Sequence, residues 1–270
     1  MNLVLAGGGM KVSYQVGQAA ALVEGVGVPE AIWSVSSGLV TASFVSAYGD
    51  SPAAILASYA EHLRSVASRG VLPSVKTSRR LAVQVCANLL GKTRARGIRT
   101  MTAVGANRSD FRPTCVDLSS AAPEALEALM SIPLLLDSQS SRELEVIDGG
   151  YHHNVPWRFA PATRRTFVLA YFQPSPRHAE RFEQLRWART IERRAIQRAY
   201  RHVWAWVNCT FPHQPTERSN LTWFIPKTRR LLSFFSRNLS HHLRALECGY
   251  EETRAELARG EAPAISRRTG

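Results

Sequence analysis

A chain of 270 residues can form one large α/β domain or two small ones, and its 45% hydrophobic and 20% charged residues are typical of a globular protein. No apolar run approaches the roughly 18 residues of a membrane span, the amino terminus lacks the pattern of a signal peptide, and the four widely spaced cysteines exclude a zinc-finger or disulfide framework. A cytoplasmic chain is therefore expected, and its net charge of +13 at pH 7 favours an anionic partner.

The amino-terminal part alternates predicted strands and helices. Residues 2–6 (NLVLA) predict a short buried strand, which ends at three glycines and is followed by an Ala-rich helix over 13–25. Residues 31–35 (AIWSV) predict a second strand, which breaks at Ser36-Ser37-Gly38 into a helix over 39–48. Strand, tight turn and helix, twice over, are typical of a parallel sheet covered by helices.

The downstream elements are less regular. Residues 92–112 are polar and Arg-rich, with short strand-like pieces and no clear periodicity. A helix over 121–131 is expected to be capped by Ser119 or Ser120. The other predicted helices span 53–68, 78–91, 178–207 and 228–259, and the other predicted strands span 114–118, 145–147, 166–171 and 221–225.

These elements predict a three-layer α/β/α fold with a largely parallel central sheet. We expect a single domain over 1–260 and a flexible tail over 261–270. In such sheets ligands bind at the carboxyl ends of the strands. Three glycine-centred turns follow predicted strands in this chain, and each is a candidate site.

The first turn is Gly7-Gly8-Gly9-Met10-Lys11. Consecutive glycines can adopt positive φ and bring N–H groups close to a bound oxygen, and the helix that follows adds a positive dipole end. The turn therefore predicts an oxyanion hole or a phosphate cradle. A dinucleotide site would need glycine where Val12 stands, and Glu30 is the one acidic residue near the required distance, so this reading is disfavoured.

The second turn is Ser34-Val35-Ser36-Ser37-Gly38. A nucleophile elbow places a serine at a strained strand-to-helix turn, with small residues two positions before and after it so that the helix packs tightly. Ser36 occupies the nucleophile position of that pattern. The alternative is a turn of small residues with a capping serine, and these five residues alone do not decide between the two.

The third turn is Asp148-Gly149-Gly150, which is followed by Asn154-Val155-Pro156. A carboxylate beside two glycines at a strand end can approach another backbone closely and become partly desolvated. Asp-Gly is also an ordinary turn dipeptide, so a purely structural turn is the alternative for this segment taken alone.

The three turns, in this order, resemble the motifs of the patatin-like phospholipases. Two further segments are similar to parts of that family: residues 128–133 (ALMSIP) precede the aspartate turn, and residues 233–257 carry Gly249-Tyr250 near their end. The resemblance covers the chain from Leu3 to about residue 257. Family members usually have glycine at the positions of Val12 and Ser34.

The resemblance implies a lipid acyl hydrolase of the phospholipase A or lysophospholipase type, which cleaves carboxylic esters of glycerolipids. Ser36 would attack the ester carbonyl and Asp148 would take its proton without a histidine. The N–H groups at Gly7, Gly8 and Gly9 would hold the oxyanion. Lys11 would orient the loop or contact a phosphate of the substrate, as a substrate-binding residue. No metal and no organic cofactor is expected.

The positive charge is concentrated in the carboxy-terminal part. Residues 1–157 contain 13 Lys/Arg and 12 Asp/Glu, whereas residues 158–270 contain 21 and 9. The segment 177–206 holds eight Arg against three Glu, with five aromatic residues (Phe182, Trp187, Tyr200, Trp204 and Trp206). Arg beside Trp is typical of a surface that meets anionic head groups, so peripheral contact with an anionic membrane is predicted.

A core-facing aromatic stripe with a solvated Arg face is the structural alternative for this segment. Nucleic-acid binding is not expected, because no recognised nucleic-acid module is present. The alternative function for the whole chain is a catalytically weakened patatin-fold protein that acts as an anionic membrane- or nucleic-acid-binding module.

Overall fold

A largely parallel β-sheet forms the centre of the protein. The computed structural model describes residues 1–109, 112–131, 145–151, 155–171, 220–226 and 237–260. Within them the sheet has seven strands: β1 (Asn2–Leu5), β2 (Ala31–Ser34), β3 (Thr100–Asn107), β4 (Pro113–Asp117), β5 (Val146–Ile147), β6 (Thr166–Leu169) and β7 (Leu221–Phe224).

The strand order is β4-β3-β2-β1-β6-β7, and β5 pairs with β3 outside this path. The five strands from β3 to β7 along this order are parallel, whereas β4 and β5 run antiparallel to β3. The register sets Leu5 of β1 opposite Ser34 of β2. The turns that follow β1 and β2 therefore lie side by side at the carboxyl edge of the sheet, where ligands bind in such folds.

Alternating side chains of β1 serve two cores, as the period of a strand requires. Leu3 and Leu5 belong to the larger hydrophobic cluster, to which all the described α-helices contribute. Val4 and Ala6 belong to the smaller cluster on the opposite face, where Trp157 packs. Because both faces of this strand are buried, its residues Leu3–Leu5 are apolar without polar alternation.

Six α-helices lie within the described residues. The helix α2 begins directly after the turn at Ser36, and α1 begins directly after the glycine turn. Their bounds are α1 (Val12–Val26), α2 (Gly38–Tyr48), α3 (Pro52–Val66), α4 (Val75–Leu90), α5 (Pro123–Leu129) and α6 (Leu239–Ala258).

The helices α1 and α6 cross at very short distance because glycines stand at the crossing. A Cβ added at Gly17 would lie 2.0 Å from the carbonyl oxygen of Leu246, and one added at Gly249 would lie 2.1 Å from that of Tyr14. At the flanks of the crossing the Tyr14 hydroxyl donates to Glu252 at 2.5 Å.

The predicted fold class is confirmed: the protein has a mixed α/β fold with a largely parallel central sheet flanked by helices, compatible with the three-layer arrangement. The predicted helix and strand positions agree with the structure within a few residues wherever the structure describes them. The predicted helix over 178–207, the Arg-rich segment 177–206 and the start of the predicted helix over 228–259 lie outside the described residues.

Two local predictions differ from the structure. The segment 92–112, for which only short strand-like pieces were expected, contains the eight-residue strand β3 (TMTAVGAN), which is buried from Ala103 to Ala106. The helix α5 has Ala122 as its N-cap residue without a side-chain cap, because the Ser119 hydroxyl donates to Asp117 instead. Among the helices that the structure describes, none is both long and apolar enough to cross a membrane.

Candidate active site

Ser36 stands at a strained turn between β2 and α2. Its φ is +53°, one of two positive values among the described residues other than glycine. For an L-residue this left-handed conformation costs roughly 1–2 kcal/mol. Such strain clusters at functional sites, and at a strand-to-helix turn it lifts the side chain out of the backbone path. Ser36 is partly exposed and lines a cavity.

The residues on either side of Ser36 explain why this turn needs small side chains. A Cβ at Gly38 would lie 2.8 Å from the carbonyl oxygen of Leu5, so only glycine lets α2 start this close to β1. Ser34 is fully buried, and its hydroxyl has no hydrogen-bond partner in the described part of the chain. The loss of water contacts by the buried Ser34 hydroxyl is therefore not compensated by a hydrogen bond within the described residues.

Asp148 follows β5 and is almost completely buried, with 1% of its surface exposed. Its Oδ1 accepts a hydrogen bond from the N–H of Gly150 at 2.8 Å. The following Gly149 lies so close to β3 that a Cβ there would be 1.9 Å from the carbonyl oxygen of Val104. The close approach expected of the Asp-Gly-Gly turn is thus present, and it places the carboxyl group inside the protein.

Burial raises the pKa of Asp148 to about 6, while interaction with the Ser36 side chain and the Gly150 N–H act in the opposite direction. The contact with Ser36 is loose, because Oδ2 has no hydrogen bond of ordinary length and angle to any described residue. Catalytic hydrogen bonds are often long until substrate is bound. The structure thus brings Ser36 and Asp148 together.

The glycine turn after β1 has one face toward the sheet and one toward the cavity. Gly8 is buried, its N–H donates to the Ser37 hydroxyl at 2.9 Å, and a Cβ on it would lie 2.2 Å from the ring of Tyr171. Gly7 is also buried, whereas Gly9, at φ +58°, lines the cavity.

Met10, which the sequence did not single out, lines the cavity beside Gly9. Gly9 and Met10 are the first residues of a short 3-10 turn over Gly9–Lys11, and the first N–H groups of such a turn have no carbonyl within it to bind. Of the three predicted glycines, Gly9 is the one that lines the cavity together with Ser36. The N–H of Gly8 is already used by Ser37.

The two residues after Met10 differ in their relation to the site. Lys11 is half-buried and does not line the cavity, and burial lowers the pKa of its ammonium group. Val12 has φ −52°, an ordinary helical value, because Gly9 supplies the positive φ that this loop needs. Valine at position 12 is therefore compatible with the turn.

The cavity beside Ser36 is mainly apolar and holds about 840 Å³, counting the space at its open mouth. Its apolar wall consists of side chains from the glycine turn, from the helices α1 to α4, from the segment between α3 and α4, and from Met130 after α5 (Met10, Val12, Val40, Leu63, Val66, Leu72, Leu81, Ala82 and Met130). Asp148 does not line it and reaches it through Ser36. A wall of this kind suits a hydrocarbon chain.

A few polar groups interrupt this wall. His242 is buried, and its Nδ1 is hydrogen-bonded to the Ser13 hydroxyl at 2.8 Å, which is also 2.9 Å from the Tyr59 hydroxyl. Burial lowers the pKa of His62, so this side chain is neutral at pH 7. Arg79 lines the cavity from α4. None of these residues was identified from the sequence, because each meets its partners across long sequence separations.

No group of three or more His, Cys, Asp or Glu residues is placed to hold a metal ion in the described part of the chain. His152, His153 and Asn154, which follow the Asp148 turn, lie outside the described residues.

No model of a known protein family matches the sequence, and no characterised protein matches it either. Among solved structures, VipD from Legionella pneumophila is similar over 96% of this chain and 67% of its own, with 12% sequence identity and a TM-score of 0.47.

Proposed function

We propose that this chain is a serine lipid-acyl hydrolase in which Ser36 is the nucleophile and Asp148 the general base. One observation supports this most: a serine at positive φ interacts with a buried carboxyl group of pKa about 6, at the wall of an apolar cavity. An ordinary aspartate, with a pKa near 3.9, is a poor base at neutral pH. A base whose pKa lies near the working pH is more effective.

In the first half of the reaction Ser36 Oγ attacks the ester carbonyl, and its proton passes to Asp148. The carbonyl oxygen becomes an oxyanion, for which the N–H groups of Gly9 and Met10 are the proposed donors. When this intermediate collapses, the alcohol leaves with the proton from Asp148 and the acyl group remains on Ser36. The loss of one such oxyanion donor typically costs ~10²–10³ in rate.

In the second half Asp148, ionised again, takes a proton from a water molecule that attacks the acyl-serine. The second oxyanion occupies the same donors. Its collapse returns the proton to Ser36 Oγ and releases the carboxylic acid. Two reacting side chains and a set of backbone donors are sufficient for the whole cycle, so neither a metal nor a cofactor is required by this chemistry.

The cavity supports a substrate with a hydrocarbon acyl chain, since its wall is mainly apolar and adjoins Ser36. We propose glycerolipids or phospholipids as the substrate class, with phospholipase A or lysophospholipase activity of the patatin-like type. The order of the three turns in the sequence supports that finer assignment. Lys11 is proposed to orient the glycine turn, since it is half-buried beside the turn without lining the cavity.

A fluorophosphonate tests the proposal, because it reacts covalently only with an activated serine. We expect labelling of the wild type, no labelling of Ser36→Ala, and full labelling of Ser65→Ala, which removes an exposed serine of α3. Recovery of the label on another serine in the Ser36→Ala variant would overturn the assignment. An unlabelled, inactive wild type would favour the alternative of a non-catalytic binding protein.

The same assay separates a dyad from a triad. Asp148→Asn keeps the shape of the side chain but cannot accept a proton, so nearly all turnover should be lost. Replacing His152 and His153 by alanine, singly and together, should leave most of it. A loss of about 10⁴-fold in either histidine variant, comparable to the loss of a triad member, would replace the dyad with a triad.

We further propose that the basic carboxy-terminal part contacts an anionic membrane surface. The supporting observation is the charge distribution, since residues 158–270 hold 21 of the 34 basic residues. Contact of this kind would bring the cavity to its lipid substrate.

A further inference from the structure

Arg79 on α4 is a buried cation that the proposed mechanism does not use. Its surface is 5% exposed, and it lines the same mainly apolar cavity as Ser36. Moving a guanidinium out of water costs several kcal/mol unless partners compensate. Glu127 at the end of α5 is one partner, at 3.2 Å from the guanidinium in an ion pair whose two side chains are 4% and 21% exposed.

The second partner of Arg79 is Ser131. The guanidinium donates a short hydrogen bond to the Ser131 hydroxyl, which itself donates to the carbonyl oxygen of Glu127 at 2.7 Å. Ser131 is fully buried, and its N–H donates to the carbonyl of Ala128 at 3.0 Å. Donor and acceptor of this side chain are thus both used, which fixes its position at the end of α5.

Ser131 in turn contacts the proposed base. Its carbonyl oxygen accepts the backbone N–H of Asp148 at 3.2 Å. The Asp148 turn is otherwise held by β3, through the pairing of Ile147 with Ala106 and through the close approach of Gly149. Ser131 therefore supports Asp148 from a different side, that of the helices.

Small displacements of Asp148 matter because its contact with Ser36 is loose. Oδ2 makes no hydrogen bond of ordinary geometry within the described residues, so its approach to Ser36 depends on where the backbone holds it. The contacts that connect Arg79 with Asp148 run through Ser131, which accepts a hydrogen bond from the guanidinium at its hydroxyl and one from the backbone N–H of Asp148 at its carbonyl oxygen.

We propose that Arg79 is a positioning residue for the reaction: through Ser131 it fixes the backbone of Asp148 so that the carboxyl group meets Ser36. This inference rests on the proposed function. It assigns a role to the chain of contacts from Arg79 through Ser131 to Asp148, which joins a wall of the substrate cavity to the base.

The competing role for Arg79 is that of a ligand for the phosphate of a phospholipid, since it lines the cavity. Two substrates with the same acyl chain separate the roles: an uncharged p-nitrophenyl ester and a phospholipid. For Arg79→Met a positioning role predicts a loss of kcat of up to about 10²-fold on both substrates, with nearly unchanged KM. The adjacent exposed Arg80→Met removes the same charge from the same helix and should have no effect.

Ser131→Ala is the sharper variant because it leaves the Arg79–Glu127 ion pair and the backbone hydrogen bond from Asp148 to Ser131 in place and removes only the hydroxyl through which Arg79 holds Ser131. It should lower kcat on both substrates, by less than Arg79→Met does. Because Arg79→Met removes the ion pair with Glu127, the double variant with Glu127→Gln is made as well, and it should fold and show the same kcat loss.

An NMR titration of the Asp148 carboxyl group gives a readout that is independent of turnover. In Arg79→Met and in Ser131→Ala the pKa of Asp148 should rise, because a displaced carboxylate loses its interaction with Ser36. Unchanged kcat and an unchanged titration in these variants of an active wild type would overturn the inference. An effect confined to KM for the phospholipid would make Arg79 a phosphate ligand instead. If the wild type is inactive the proposed function fails, and the titration still decides whether Arg79 positions Asp148.

Discussion

The Asp148 carboxyl group is held in surroundings that favour its neutral form. Burial raises its pKa from 3.8 to about 6, so between these values the folded chain binds more protons than the unfolded chain. The free energy of unfolding therefore falls as pH rises through this window. At higher pH the full cost remains, about 3 kcal/mol at most for a shift of roughly two units.

Asp148→Asn removes this cost together with the base. We expect the variant to be inactive and yet more stable than the wild type at about pH 8, with the difference disappearing below about pH 3, where the carboxyl group is mostly protonated in both states. Urea unfolding of both proteins at the two pH values measures this. If the variant were less stable at both, the carboxylate would be stabilised in the folded protein, and the raised pKa would be wrong.

The residues of the site differ in how far the sequence reveals them. Ser36 and Asp148 stand at strand ends next to glycine, so local patterns locate them. Arg79 does not, because its bond to Ser131 spans 52 positions and depends on how α4 packs against α5. The hydrogen bond from the Gly8 N–H to the Ser37 hydroxyl likewise forms because the turns after two adjacent parallel strands lie side by side. Neither turn reveals it when the sequence is considered alone.

At the scale of elements, the crossing of α1 and α6 is fixed by backbone contact at Gly17 and Gly249. Gly17→Ala places a Cβ 2.0 Å from a carbonyl oxygen of Leu246, so the helices must separate. We expect a loss of about 1–3 kcal/mol of stability or more, measured by urea unfolding.

The matched control is Gly25→Ala in the same helix pair. There the added Cβ would meet the end of the flexible Leu257 side chain at 2.9 Å, which can move aside. Alanine also favours the helix over glycine by up to about 1 kcal/mol. Gly25→Ala should therefore cost much less than Gly17→Ala, and equal losses in the two variants would show that close backbone contact is not what sets the crossing.

Most helix and strand positions were predictable. The strands are short apolar runs that end at glycine turns, and the helices between them show helical periodicity. The strand β3 was predicted only as short strand-like pieces, because it is buried without polar alternation from Ala103 to Ala106 and the preceding Arg94, Arg96 and Arg99 give its surroundings a loop-like composition. The antiparallel direction of β4 and β5 was not predicted either, because tertiary packing decides which strands pair and in which direction.

On the scale of the whole molecule, the proposed catalytic residues and the basic charge belong to different parts of the chain. Ser36 and Asp148 lie within the nearly neutral residues 1–157, whereas residues 158–270 carry a net charge of +12 from 21 basic and 9 acidic residues. We therefore propose that the neutral part carries out the ester hydrolysis and that the basic part binds the anionic membrane surface.

If the basic part meets anionic lipid, binding to vesicles of phosphatidylglycerol should weaken steeply with salt, because screening lengths shorten from ~10 Å at 0.1 M to ~3 Å at 1 M. Neutral phosphatidylcholine vesicles should bind poorly throughout. Replacing Arg186, Arg189 and Arg193 by glutamine should weaken binding by roughly 10²-fold, since each basic residue near an anionic surface contributes about 1 kcal/mol. Vesicle co-sedimentation over a salt series measures both effects.

A control with the same change in net charge separates a specific surface from the total charge. Arg64, Arg80 and Arg99 are exposed residues of the neutral part, and their replacement by glutamine also removes three positive charges. If the segment 177–206 makes the contact, this control should bind vesicles nearly as well as the wild type, because its three arginines are not part of that segment. Equal weakening in both triple variants would mean that the contact depends only on overall charge. Duplex DNA binding at the same salt concentrations, tighter than vesicle binding, would instead make nucleic acid the partner of the basic part.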